Sequence, residues 1–104
     1  MANIIVSGAG SSEVNGTYVE SGTINDKPSY VYGDYGIFWS GGVWQIIYYG
    51  GFPTFYYSSD DVATPDLCTT WEVNEGEPPV PTVTKEVTGN PKHFLYYARM
   101  RGNQ

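Results

Sequence analysis

Residues 35–57 read YGIFWSGGVWQIIYYGGFPTFYY, and this stretch decides the fold. Aromatic and β-branched runs flank Gly41-Gly42, a pair that supplies the positive φ angles of a two-residue hairpin turn. With these glycines as the loop, Ser40 faces Val43, Trp39 faces Trp44, Phe38 faces Gln45 and Ile37 faces Ile46. Strand side chains alternate with period two, so Ile37, Trp39, Trp44 and Ile46 share one face while Phe38, Gln45 and Ile47 share the other. A second loop, Gly50-Gly51-Phe52-Pro53, leads into Thr54–Tyr57, and four loop residues put Tyr48 opposite Phe55 and Ile46 opposite Tyr57. The predicted core face is therefore Ile37, Trp39, Trp44, Ile46, Tyr48, Phe55 and Tyr57, with both tryptophans buried.

On the N-terminal side, Asn3–Ser7 is a short β-branched run ended by the flexible turn Ser7-Gly8-Ala9-Gly10. Those glycines do not make a phosphate loop, because residues 11–17 lack the helical periodicity and third glycine of a dinucleotide fingerprint. Asn15-Gly16 is a turn dipeptide, and Thr17–Ser21 alternates like a half-buried strand. Asn15-Gly16-Thr17 also satisfies the N-glycosylation pattern, which matters only on a secretory route. A polar turn is expected at Asn25-Asp26-Lys27-Pro28, a strand at Tyr30–Tyr32, and a turn at Gly33-Asp34.

On the C-terminal side, Ser58–Asp66 is an acidic loop without the ordered ligand ladder and sharp-turn glycine of a calcium-binding EF-hand. Thr69–Val73 reads as a strand with Trp71 on the same side as Thr69 and Val73. The run Glu75–Pro81 breaks regular structure and marks the end of a module spanning residues 1–83. Residues 84–104 form a basic, aromatic extension. Within it the alternation of Thr82–Val87 continues as a strand, and residues 90–101 read either as a second hairpin, the favoured form, or as a short helix capped by Asn90.

Composition agrees with an all-β class. Ten tyrosines, thirteen glycines and seven prolines in 104 residues favour short strands and tight turns, so the expected architecture is a small antiparallel meander, sandwich or curled barrel-like sheet. The single cysteine, Cys68, excludes an intrachain disulfide and a cysteine-built zinc site, and no cofactor is expected. No apolar run approaches the roughly 20 residues that span a membrane, and a soluble chain without signal peptide is expected. Residues 1–83 hold ten carboxylates against Lys27, a net of −9, whereas residues 84–104 hold Lys85, Lys92, Arg99 and Arg101 against Glu86, a net of +3. Such an acidic body repels phosphate backbones, so nucleic acid is not an expected partner. The basic extension suits an acidic surface.

Ser7-Gly8-Ala9-Gly10, Val14-Asn15-Gly16-Thr17-Tyr18, Lys27-Pro28 with Tyr30, Ile37 with Trp39, Trp44 with Ile46, Trp71 and Pro79-Val80-Pro81-Thr82-Val83 resemble a small β-rich module. That module is seen as a free-standing phage or bacterial protein and as a repeat in mosaic eukaryotic proteins. The likeness spans roughly residues 5–83 and brings no catalytic residues with it. It implies a binding or structural unit appended to other machinery.

The catalytic constellations are weak. His93 lies in the extension and Cys68 in a distant loop, so a nucleophile–base pair has no sequence support. Asp34, Asp60, Asp61 and Glu72 offer carboxylates for glycoside hydrolysis, but a domain this small provides little wall for a cleft. The expectation is a non-enzymatic structural or adhesive accessory protein, a phage-type virion or tail component. Lys92, Phe94, Tyr96, Tyr97, Arg99 and Arg101 would anchor it to a protein partner or to copies of itself. The alternative is a carbohydrate-binding module in which Tyr32, Tyr35, Tyr49 and Tyr56, on the face opposite the tryptophans or at loop ends, stack on sugar rings.

Overall fold

A computed structural model describes residues 3–87. They form an all-β unit, eight antiparallel strands in one curled half-barrel sheet. The strands are β1 (Ile4–Ser7), β2 (Gly16–Ile24), β3 (Lys27–Tyr32), β4 (Tyr35–Ser40), β5 (Val43–Tyr48), β6 (Thr54–Ser58), β7 (Glu72–Val73) and β8 (Thr82–Lys85). Their order across the sheet is β7-β6-β5-β4-β3-β2-β1-β8, a continuous meander whose last strand returns beside the first. Two single-turn 3-10 helices, Ser12–Val14 and Pro65–Leu67, lie in the connections.

The central hairpin has the register its turn demands. Gly41 and Gly42 take φ of 64° and 82°, and Ser40–Val43, Trp39–Trp44, Phe38–Gln45 and Ile37–Ile46 are partners. Ile37, Trp44 and Ile46 are fully buried, each such burial contributing about 1.5–3 kcal/mol. Trp39 departs from expectation in being only half-buried. Its ring packs edge-on against Trp44, with centroids 6.0 Å apart, and carries the Lys27 ammonium 4.3 Å above it.

The second hairpin corrects the sequence register. Ile46 faces Tyr56, not Tyr57, because the pairing slips between Ile46 and Ile47, leaving Phe55 as the extra residue of a bulge. The slip exchanges the two tyrosines. Tyr56 enters the core fully buried, and Tyr57, opposite Gln45, lies half-buried on the outer face.

Three further departures concern strand ends. β2 runs to Ile24 and β3 begins at Lys27, so only Asn25-Asp26 turn, with φ of 54° and 69° as a two-residue hairpin loop requires. The strand expected at Thr69–Val73 shrinks to Glu72–Val73, since the Asp60 carboxylate binds the Thr69 and Thr70 backbone amides that a ladder would have used. The last strand stops at Lys85, with the Glu86 amide donating to the Asn3 carbonyl.

β2 serves as the corner of the half-barrel. Its first residues, Gly16–Tyr18, pair with β1, and its later ones pair with β3 across a bulge between Glu20 and Gly22. This bend brings Ile4, Val6, Val14, Tyr18, Tyr30 and Val83 onto the same core as the central hairpin. The proline segment folds back against the turn after β1. Gly10 donates its amide to the Pro79 carbonyl, and Tyr56 ties both layers, its hydroxyl accepting the Ser11 N–H at 3.0 Å and donating to the Glu77 carbonyl at 2.6 Å. No helix among the described residues is long and apolar enough to cross a membrane.

Candidate functional site

The meander brings aromatic side chains together at the sheet end where β3, β4, β5 and β6 meet through their turns. Tyr32 and Tyr35 are partners flanking the Gly33-Asp34 turn, and Tyr35 is in turn the partner of Tyr48. The Tyr35 ring lies 5.2 Å from Tyr48 and 6.1 Å, edge-on, from Phe55. Tyr32 stacks 5.2 Å from Tyr18, whose hydroxyl donates to the Val14 carbonyl from within the core. Two ring groups, Tyr18 with Tyr32 and Tyr35 with Tyr48 and Phe55, thus line one end of the sheet as an aromatic rim, with Tyr32 38% exposed.

Two glycines make the rim possible. A Cβ on Gly16 would stand 2.4 Å from the Tyr32 ring, and one on Gly50 would stand 2.5 Å from the Tyr48 ring, so each tyrosine lies flat on bare backbone. The β5–β6 loop carries Phe52, which is 68% exposed and holds a φ of 65°. A bulky residue in the left-handed region costs on the order of 1 kcal/mol. Phe52 packs edge-on against Tyr49 at 6.1 Å.

The rim's electrostatics are acidic. Burial, with the Glu13 carboxylate, Tyr48 and Asp34 adding to it, raises the Tyr35 phenol above its ordinary pKa. The core phenol Tyr30 is pushed up to about 12, chiefly by burial. Lys27, the one Lys or Arg among residues 1–84, is engaged elsewhere, bonded to Asp61 at 2.6 Å and to the Val62 carbonyl at 2.7 Å.

Of the four tyrosines singled out from sequence, Tyr32 and Tyr35 belong to the rim, though on the tryptophan side of the sheet and not the opposite one. Tyr49 lies on the outer face over Gly36, where a Cβ would meet its hydroxyl at 2.4 Å. Tyr56 is a core residue and no part of a ligand surface, because the β6 bulge turns it inward. Tyr48 and Phe55 complete the rim and were missed as candidates, whereas Phe52 packs on Tyr49 at the outer face.

The carboxylates are dispersed. Asp60 accepts from the Thr69 and Thr70 amides and the Thr69 hydroxyl, interactions that lower its pKa, whereas Asp61 pairs with Lys27. Glu72 sits on β7 opposite Tyr57, and Asp34 in the turn beside Tyr35. Cys68 is half-buried, and burial pushes its thiol up. Among the described residues no group of three or more His, Cys, Asp or Glu is disposed to hold a metal ion. The anchoring residues Lys92, Phe94, Tyr96, Tyr97, Arg99 and Arg101 lie outside the described residues, as does the choice between helix and hairpin for residues 90–101.

No family model, curated protein or solved structure matches the chain. Its functional reading therefore rests on the rim and on the distribution of charge.

Proposed function

We propose that the chain is a non-enzymatic structural or adhesive module of an assembled, phage-type particle, with residues 84–104 attaching it to a protein partner or to further copies. The observation that carries this reading is the aromatic rim itself. Tyr32, Tyr35, Tyr48 and Phe55 present rigid, amphipathic area, backed by a packed core, at one end of a sheet. Rings of this kind give contact area at little cost in side-chain entropy and dominate protein recognition surfaces. The resemblance to an appended β-rich module supports the same reading, and the opposite charges of body and extension supply an attractive force.

Light scattering on the full chain tests it. Association that grows with protein concentration, and that is lost in the Lys92→Ser, Arg99→Ser, Arg101→Ser variant, is the expected result. Association that survives those substitutions unchanged contradicts the role given to the extension.

A second reading, carbohydrate binding, is favoured by the company the rim keeps, because exposed Asp34, next to Tyr35 in the β3–β4 turn, provides hydroxyl acceptors beside a stacking surface. A glycan array separates the two. Hits that Tyr32→Ala abolishes support sugar binding, and an array without hits removes it.

A further inference from the structure

Antiparallel pairing fixes which end of the sheet the chain leaves. Val6 is the partner of both Gly16 and Val83, and Ser7 is the partner of Thr82, so β8 begins at the same end as Gly16. The Tyr32 ring lies over Gly16, which makes this the rim end. β8 then runs away from the rim, through Lys85 opposite Ile4, and residues 88–104 follow from the far end.

Charge follows the same axis. The rim end carries Asp34, which precedes Tyr35 in the β3–β4 turn, and Glu13, in the Ser12–Val14 turn whose Val14 carbonyl receives the hydroxyl of the Tyr18 that packs on Tyr32, and Lys27 is already held by Asp61. The segment leaving the far end holds Lys92, Arg99 and Arg101 interleaved with Phe94, Tyr96 and Tyr97 and no carboxylate side chain. Guanidinium and ammonium groups over tyrosine faces are attracted by the ring quadrupole, and the carboxylates beside those rings add to the attraction. The chain already uses this chemistry internally, with the Lys27 ammonium over Trp39 and ion-paired to Asp61.

We infer that the rim of Tyr32, Tyr35, Tyr48 and Phe55, with Asp34 and Glu13, is the acceptor for residues 88–104 of a second copy. This rests on the attachment role proposed for the extension and names the surface that receives it. β8 itself runs away from the rim of its own copy and towards the place where a neighbour stacked along the strand axis would present its rim. Such a contact is head-to-tail, so it propagates into chains or closes into rings instead of stopping at a two-fold dimer.

The test uses the full chain, with light scattering across protein concentration and salt. Glu13 and Asp34 are both exposed, so Glu13→Gln with Asp34→Asn leaves the core untouched, which tryptophan fluorescence verifies. Wild type is expected to grow beyond a dimer and to dissociate with added salt. The E13Q/D34N variant is expected to weaken association at least tenfold, and E13K/D34K combined with K92E/R99E/R101E to restore it. If the neutral-tail variant loses association while E13Q/D34N keeps wild-type behaviour, this acceptor is wrong and the attachment role stands. If wild type stays monomeric at every concentration, both are wrong.

Discussion

The Tyr56→Phe substitution probes the most consequential difference between the sequence register and the observed one. Tyr56 is fully buried, and its hydroxyl bridges the Ser11 amide at 3.0 Å and the Glu77 carbonyl at 2.6 Å. Removing that oxygen leaves the ring in place and orphans two backbone groups. Glu77 is exposed and its carbonyl regains water, whereas Ser11 is 7% exposed, so its amide carries most of the penalty. A buried donor without a partner costs about 1–3 kcal/mol. For a domain of this size a loss of about 2 kcal/mol lowers Tm by roughly 8–16 °C. Urea denaturation followed by tryptophan fluorescence reads the change as a shifted midpoint at unchanged slope. The companion Tyr57→Phe, on the half-buried outer face, is expected within about 0.5 kcal/mol of wild type. A Tyr56→Phe loss below about 0.5 kcal/mol, or a Tyr57→Phe loss of equal size, refutes the bulge and the tie between β6 and the proline segment.

Other substitutions separate packing from recognition. A Cβ on Gly10 falls 2.1 Å from the Pro78 carbonyl oxygen, a backbone atom with little room to yield, so Gly10→Ala is expected to cost about 3 kcal/mol by thermal denaturation. Gly36→Ala meets the movable end of Tyr49 and is expected to cost only about 1 kcal/mol. Phe52→Gly releases the strain at φ 65° and, because Phe52 packs on Tyr49 away from the rim, is expected to stabilise the fold by about 1 kcal/mol with association unchanged. The Asp60 carboxyl has a folded-state pKa below its ordinary 3.8, so its contribution is present above that value and drains away as pH falls through the lowered one. Acid unfolding of Asp60→Asn, followed by fluorescence, is expected to show a shallower loss over that window than wild type.

The readable part of this fold was local. Gly41-Gly42 set the central register because two adjacent positive φ angles admit few other solutions, and the resulting alternation identified Ile37, Trp44 and Ile46 as core. The Gly50–Pro53 loop was not legible in the same way. A single bulge at Phe55 shifts every later side chain by one, and its cause is tertiary, since Tyr56 finds its partners in Ser11 and Glu77, far away in sequence. Half of the candidate site followed from Tyr32 and Tyr35 flanking a turn. Tyr48 and Phe55 escaped because the alternation placed them on the core face, where both are only half-buried. Hydrophobic period distinguishes faces of a strand but not its buried middle from its open end.

The most direct test of the account is intermolecular paramagnetic broadening in a mixed sample. One population, isotope-labelled, reports backbone amides, and the other carries a spin label at Gln104→Cys in a Cys68→Ser background. Broadening is expected to centre on Tyr32, Asp34, Tyr35, Tyr48 and Phe55 of the labelled copy. Broadening confined to the outer face around Tyr49 and Tyr57, or absent altogether, contradicts this acceptor surface.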